Sequence, residues 1–159
     1  MAKAEDEGFM RLALRECVKG VRAGGGPFGC VVVKGGRVVA RAHNTVVKSR
    51  DATAHAEVNA IRLACRKLKS HVLRGCTVYA TTEPCPMCFS AIHWAQCDRI
   101  VFGASMEDAA AAGLNELLIH DVVLKRLGRD PVKLTGGVLR SECARVLREW
   151  GRRPESVKY

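Results

Sequence analysis

The 159-residue chain lacks any run approaching the roughly 18 uninterrupted apolar residues that a membrane-spanning helix requires. It also lacks an export signal, because the opening MAKAEDEGF carries charges where a signal peptide would carry an apolar stretch. The expectation is a soluble, cytoplasmic protein with no membrane partner. No internal repeat and no low-complexity segment is found. Aromatics are 5% of the residues, and no arginine–aromatic interleaving marks a stacking platform for single-stranded nucleic acid. Eight cysteines would suit a disulfide scaffold in a short secreted chain, but without an export signal, and with most of them inside apolar segments, that reading falls. Cys17, Cys30, Cys65 and Cys143 read as buried small hydrophobes.

What is present is one core's worth of apolar residues and a surplus of positive charge. A hydrophobic content of 48% over this length fills a single core, so residues 1–159 are expected to form one domain, with 151–159 an irregular tail. The net charge of +10 is spread along the chain, with local concentrations at 62–69 and 145–158. Such charge fits a solvated surface, anionic substrates or nucleic acid equally well.

Periodicity gives an alternating pattern. Residues 9–21 carry Met10, Ala13, Leu14, Cys17, Val18 and Val21 at helical spacing, followed by a glycine-rich stop at 24–26. Residues 29–33 and 38–42 are β-rich runs joined by Lys34-Gly35-Gly36-Arg37, a tight hairpin turn. Helical periodicity returns over 54–68 through Val58, Ile61, Cys65 and Leu68; 76–81 then reads as a strand, 87–95 as a helix and 99–103 as a strand. A helical stretch over 108–118, a less regular segment to 127, a strand at 132–135 and an amphipathic helix at 139–150 complete the chain. Helices alternating with strands after an initial hairpin imply a three-layer α/β domain with a mixed sheet.

The chemistry concentrates in His55-Ala56-Glu57 and Glu83-Pro84-Cys85-Pro86-Met87-Cys88, each where a helix begins. One imidazole and two thiolates make three zinc ligands and leave a fourth tetrahedral position open for water, the pattern of a catalytic site. Cys85 and Cys88, three apart on a first helical turn, point their sulfurs to the same side. Pro86 suits the first helical position, and the positive end of the helix favours thiolate. At a helix mouth His55 and Glu57 both reach the metal, leaving Glu57 beside the bound water without being a ligand. A redox reading of the cysteine pair lacks a thioredoxin-like context. A structural zinc knuckle would need a fourth ligand, for which Cys76 or Cys97 is the best candidate, and neither falls in paired spacing with another ligand. His-x-Glu, an intervening strand and Pro-Cys-x-x-Cys together match a zinc-deaminase signature.

On these motifs the chain resembles the cytidine deaminase superfamily, from the first helix to Trp150. Its free-base and tRNA branches share the stretch from Asn44 through Thr53-Ala54-His55-Ala56-Glu57. Gly25-Gly26-Pro27-Phe28-Gly29, Ala91-Ile92-His93-Trp94-Ala95, the segment 108–113 and a terminal Tyr159 resemble the bacterial guanine deaminase branch. Two departures stand out. Gly113-Leu114-Asn115-Glu116 replaces the branch's usual Gly-Phe-Asp-Asp, putting an acid one methylene longer at the base-contacting position. Residues 132–139 with Glu142-Cys143 look more like the tRNA adenosine deaminase branch.

The resemblance implies a cytidine-deaminase-like α/β/α sandwich on a mixed five-stranded sheet, one Zn2+ per chain held by His55, Cys85 and Cys88, and Glu57 as the proton carrier. It implies a free nucleobase as substrate, most simply guanine converted to xanthine and ammonia. Asn44, Phe28, Ala54, Glu116 and Tyr159 would then contact the base, with Glu116 also relaying protons to the departing amine. It further implies a homodimer, with the tail 151–159 closing the site from its own chain or exchanged from the partner. The alternatives are an adenosine-to-inosine deaminase acting on tRNA, a deaminase of a related aminated heterocycle or nucleoside, and a non-enzymatic structural zinc or RNA-binding module.

Overall fold

The computed structural model describes residues 3–159; Met1 and Ala2, the first residues of the expected 1–159 domain, lie outside the described residues. The strands are β1 (Gly29–Lys34), β2 (Arg37–His43), β3 (Cys76–Thr82), β4 (Arg99–Ala104) and β5 (Lys133–Thr135), and they form one sheet in the order β2-β1-β3-β4-β5. β1 runs antiparallel to both β2 and β3, whereas β3, β4 and β5 are parallel. The hairpin turn forms as its residues require. Gly35 and Gly36 adopt φ of 54° and 72°, left-handed values that suit residues without a Cβ.

Parallel neighbours need crossovers. Helix α4 (Pro86–Trp94) connects β3 to β4, and α5 (Met106–Ala111) with α6 (Asp121–Gly128) connects β4 to β5. The remaining helices are α1 (Lys3–Arg22), α2 (Val46–Ser49), α3 (Ala56–Leu68) and α7 (Arg140–Gly151).

Alternation along the strands builds two cores. Cys30, Val32, Val78 and Ile100 face α3 and α4, while Val31, Val33, Tyr79 and Val101 face α1 and α7. The result is the expected three-layer α/β/α sandwich. The small residues Ala56, Ala60 and Ala64 lie fully buried on the sheet side of α3, with Ile61, Cys65 and Leu68 as partly buried flanks. Cys65 is therefore half-buried, unlike Cys17, Cys30 and Cys143. No helix among the described residues is long and apolar enough to cross a membrane.

Several boundaries differ from expectation for identifiable reasons. Helix α1 begins at Lys3 rather than Phe9, because Glu5 and Asp6 occupy its first turn and Asp6 is anchored by Arg99 at 2.8 Å. The one-turn helix α2 carried no periodic signal. The expected helix over 108–118 is the largest correction. A capping box between Ser105 and Asp108 starts α5 earlier, and the chain leaves the helix at Ala112 and Gly113, whose φ is 93°. Residues 114–120 form no regular element, and the segment read as less regular holds α6 instead.

Candidate active site and metal centre

The two helix mouths face one another at the same end of the sheet. His55 is the N-cap of α3 and Cys85 the N-cap of α4, both in extended backbone, with Pro86 at the first helical position and Cys88 on the first turn. The His55 side chain makes no cap bond to its own helix, and the Cys85 sulfur contacts Cys88 on the first turn of α4, so all three turn toward a shared point. The Cys85 and Cys88 sulfurs stand 3.6 and 3.5 Å from His55 Nδ1, and all three donor atoms lie within 4.8 Å of one another. Tetrahedral zinc with Zn–S near 2.3 Å and Zn–N near 2.0 Å would separate sulfur and nitrogen by about 3.5 Å. The cage therefore fits that ion. Cys76 and Cys97 are not in this group, which removes the candidates for a fourth protein ligand and leaves the open side of a catalytic centre.

The two thiols differ in acidity. Cys85 is lowered to about 4 by its contact with the Cys88 thiol and by His55, against the effect of burial, while Cys88 is pushed well up by its Cys85 neighbour and by burial. A zinc ion held there would take both sulfurs as thiolates. Burial acts to lower the His55 pKa, but the bond to Cys85 together with the negative charges of Glu57, Cys85 and Glu116 outweighs it and the net shift is upward. Glu57 is 6% exposed and its carboxyl is raised, chiefly by burial, with Oε2 3.5 Å from the Cys88 sulfur.

A cleft of about 230 Å³ opens beside the cage. His55, Glu57 and Cys85 form its floor, and Phe28, Glu116 and Tyr159 stand on its walls. Glu116 is pushed up to about 7, first by burial and then by the nearby Cys85. Tyr159 comes from the same chain. Its hydroxyl is buried without a hydrogen-bond partner among the described residues and raised in pKa by burial. Gly26 makes room for it, since a Cβ there would meet that hydroxyl at 2.0 Å.

Asn44 and Ala54 do not line the cleft; they are buried behind it. Asn44 Oδ1 accepts from the Val46 N–H at 3.1 Å, while its Nδ2 is buried with no partner among the described residues. The Ala54 carbonyl accepts from the Thr45 N–H and from Asn59, which braces the loop before His55.

Residues without an assigned role in the sequence also reach the site. Glu83, buried on the cleft wall, accepts from the Asp121 N–H at 3.0 Å and from His120 Nδ1 at 3.0 Å. His120 Nε2 lies 2.8 Å from Glu107. With both ring nitrogens facing carboxylates, the His120 pKa is raised, chiefly by the bond to Glu83. Asp121 is fully buried, both its oxygens lack a partner among the described residues, and burial followed by Glu83 pushes it up to about 9. Glu83 stood inside the cysteine motif, and its burial next to a ligand was the available signal. His120 and Asp121 lay in a segment without periodicity and offered none.

Two facing helix N-termini thus hold three zinc donors with one side left open and a buried carboxyl beside it, the arrangement with which zinc-dependent deaminases activate water. The chain belongs to that group by descent as well. Residues 3–104 match the cytidine and deoxycytidylate deaminase zinc-binding region, so the protein is a member of this family. It is similar to a guanine deaminase of Bacillus subtilis, with 45% identity over 120 residues, covering 75% of this chain and 77% of that protein. It is also similar to a tRNA-specific adenosine deaminase of Bacillus subtilis, with 35% identity over 143 residues, 90% of this chain and 86% of the other. Among solved structures, the guanine deaminase of Nitrosomonas europaea superposes with a TM-score of 0.86 at 31% identity, covering 92% of this chain and 85% of that one.

Proposed function

We propose that the protein hydrolyses a free purine base, guanine, to xanthine and ammonia. The observation that carries this reading is Glu116, whose half-buried carboxyl shares one small cleft with the zinc ligands and Glu57. An acid at the Watson–Crick edge of guanine accepts from its ring N–H and its amino group; adenine offers no ring N–H there. The cleft volume of about 230 Å³ suits a single heterocycle, and its relatives include guanine deaminases.

When bound, zinc supplies the Lewis acidity that makes water a nucleophile at neutral pH. Glu57 takes a proton from that water and delivers it to the ring nitrogen beside the amino-bearing carbon, which becomes electrophilic. After attack, Glu57 takes the remaining proton from the added hydroxyl and passes it to the amine; the C–N bond breaks as the C=O bond forms, and ammonia leaves. The raised carboxyl of Glu57 suits a group that must alternately hold and release a proton. Glu116 orients the base and relays a proton toward the departing amine. Phe28 and Tyr159 cover the ring, with the tail 151–159 closing the cleft over it, and Asn44 Nδ2 donates to the base edge. Ala54 contributes through the backbone that presents His55.

A second reading, deamination of adenosine in tRNA, is favoured by the net charge of +10 and by similarity to tRNA-specific adenosine deaminases along 90% of the chain. Purified protein incubated with guanine, guanosine, adenine and tRNA separates the two: ammonia from guanine alone supports the first, and inosine formed only in tRNA replaces it with the second. We also propose a homodimer, with Trp94 and Leu127 as exposed apolar residues available to the partner. Sedimentation of a single monomeric species at micromolar concentration would exclude it.

A further inference from the structure

Glu116 sits on a strap without regular secondary structure, and little in its own residues holds it still. Between Leu114 and His120 the strap's internal backbone bonds are the tight Glu116 N–H to Leu114 and Ile119 N–H to Leu117 contacts. Leu114 is buried in the core, but Leu117 and Leu118 are more than half exposed, so apolar packing fixes only the strap's first residue. Its two ends, by contrast, are pinned. At the first, the Asn115 N–H donates to the Tyr159 carbonyl at 2.8 Å, and the Lys158 ammonium donates to the Ala112 carbonyl at 2.9 Å. At the second, His120 and the Asp121 N–H both bond Glu83.

The second anchor differs in kind. Glu83 lies on the chain two residues before Cys85, immediately after β3, so whatever it grips is held in register with the zinc cage. His120 carries the grip outward, bonding Glu83 through Nδ1 and Glu107 of α5 through Nε2. An imidazolium between two carboxylates forms two charge-assisted bonds, which are stronger than neutral ones and fix the ring plane. The same Glu83 carboxylate also satisfies the first N–H of α6, where a negative charge at the helix N-terminus is favourable.

We propose that Glu83 and His120 are positioning residues: with Glu107 as an outer brace, they clamp the strap so that Glu116 meets the purine edge in register with the zinc cage. The inference rests on Glu116 as the base-selecting acid, but the clamp itself is a property of the strap. Loosening it moves Glu116 and leaves the ligands in place.

The test uses zinc-loaded full-length parent, His120→Ala and Glu107→Ala. Glu107 is exposed and its removal spares the core, so this second variant folds even if the first is impaired. Hydrogen exchange of residues 114–121 is expected to speed up in both variants, by about tenfold in His120→Ala and about threefold in Glu107→Ala, while β3 and β4 keep parental protection. With guanine, KM rises by similar factors, kcat changes by less than about twofold, and one zinc per chain is retained. His120→Ala combined with Glu107→Ala gives no more than His120→Ala alone, because both remove one bridge. Unchanged exchange over 114–121 in His120→Ala overturns the clamp, as does an equal loss of protection throughout the sheet. If the parent does not deaminate guanine, the proposed substrate fails while the exchange experiment still decides whether the clamp exists.

Discussion

The zinc cage and the substrate strap line one cleft, yet they are held by different means. His55, Cys85 and Cys88 are fixed by the first residues of two helices packed on the sheet, so their geometry is inherited from the core. Glu116 rests on seven residues of irregular chain, held at the ends by Tyr159, Lys158, Glu83 and His120. On the proposed reading, the zinc chemistry is built on the rigid part of the fold and the choice of substrate on the strap.

Damage to the cage should produce the largest effects. Cys85→Ala or Cys88→Ala removes one of three ligands, and zinc affinity is expected to fall by more than about a hundredfold, with turnover lost. Zinc titration against a chromophoric chelator reads this directly, and parental affinity in either variant would exclude that cysteine. Glu57→Gln keeps the ligands and removes the proton carrier. Ammonia release should drop by about a thousandfold at full zinc occupancy; near-parental release would assign the proton transfers elsewhere.

Breaking the other wall is expected to cost less. Glu116→Gln replaces an acceptor with an amide that misaligns against the ring N–H, and guanine turnover should fall by about a hundredfold while zinc stays bound. Equal losses of zinc and turnover would merge the two regions that the structure separates.

The smallest effect on the site is expected far from it. Asp6 is 4% exposed, makes a two-pronged pair with Arg99 at 2.8 Å and accepts from the Tyr79 hydroxyl at 2.9 Å. Burial raises its pKa, but Arg99 and Tyr79 outweigh that and hold it below the usual aspartate range. A depressed carboxylate contributes stability that is present above its unfolded pKa, near 4, and is lost as pH falls through the folded value. Asp6→Asn should therefore lower stability by about 3 kcal/mol at pH 7 and flatten the loss of stability below pH 4. Denaturant unfolding at pH 7 and pH 3 checks both, with kcat per folded molecule unchanged.

The same contrast explains what the sequence revealed. The cage was legible because metal ligands at helix mouths need fixed spacings, and Pro86 marked the helix start. The β1–β2 hairpin was legible from Gly35-Gly36, and the sheet's two faces from strand alternation. The strap was not. Asp108 and the run of alanines after it satisfy helical periodicity, but the termination at Gly113 and the tertiary anchors at Tyr159 and Glu83 decide the conformation. Glu83 was visible as part of a motif, yet its partners His120 and Asp121 are 37 and 38 residues away, beyond the reach of local pattern. Asn44 and Ala54 were expected as base contacts from the shared stretch before His55, whereas the way that loop folds buries both and leaves them out of the cleft lining.

The most direct test of the account is ammonia release from guanine by protein of known zinc content. The expected result is one ammonia and one xanthine per guanine consumed, abolished by chelation and restored by zinc, with Glu116→Gln strongly impaired at full metal occupancy. Zinc-loaded protein that leaves guanine untouched while converting adenosine in tRNA would contradict the substrate assignment, and turnover indifferent to zinc would contradict the mechanism as well.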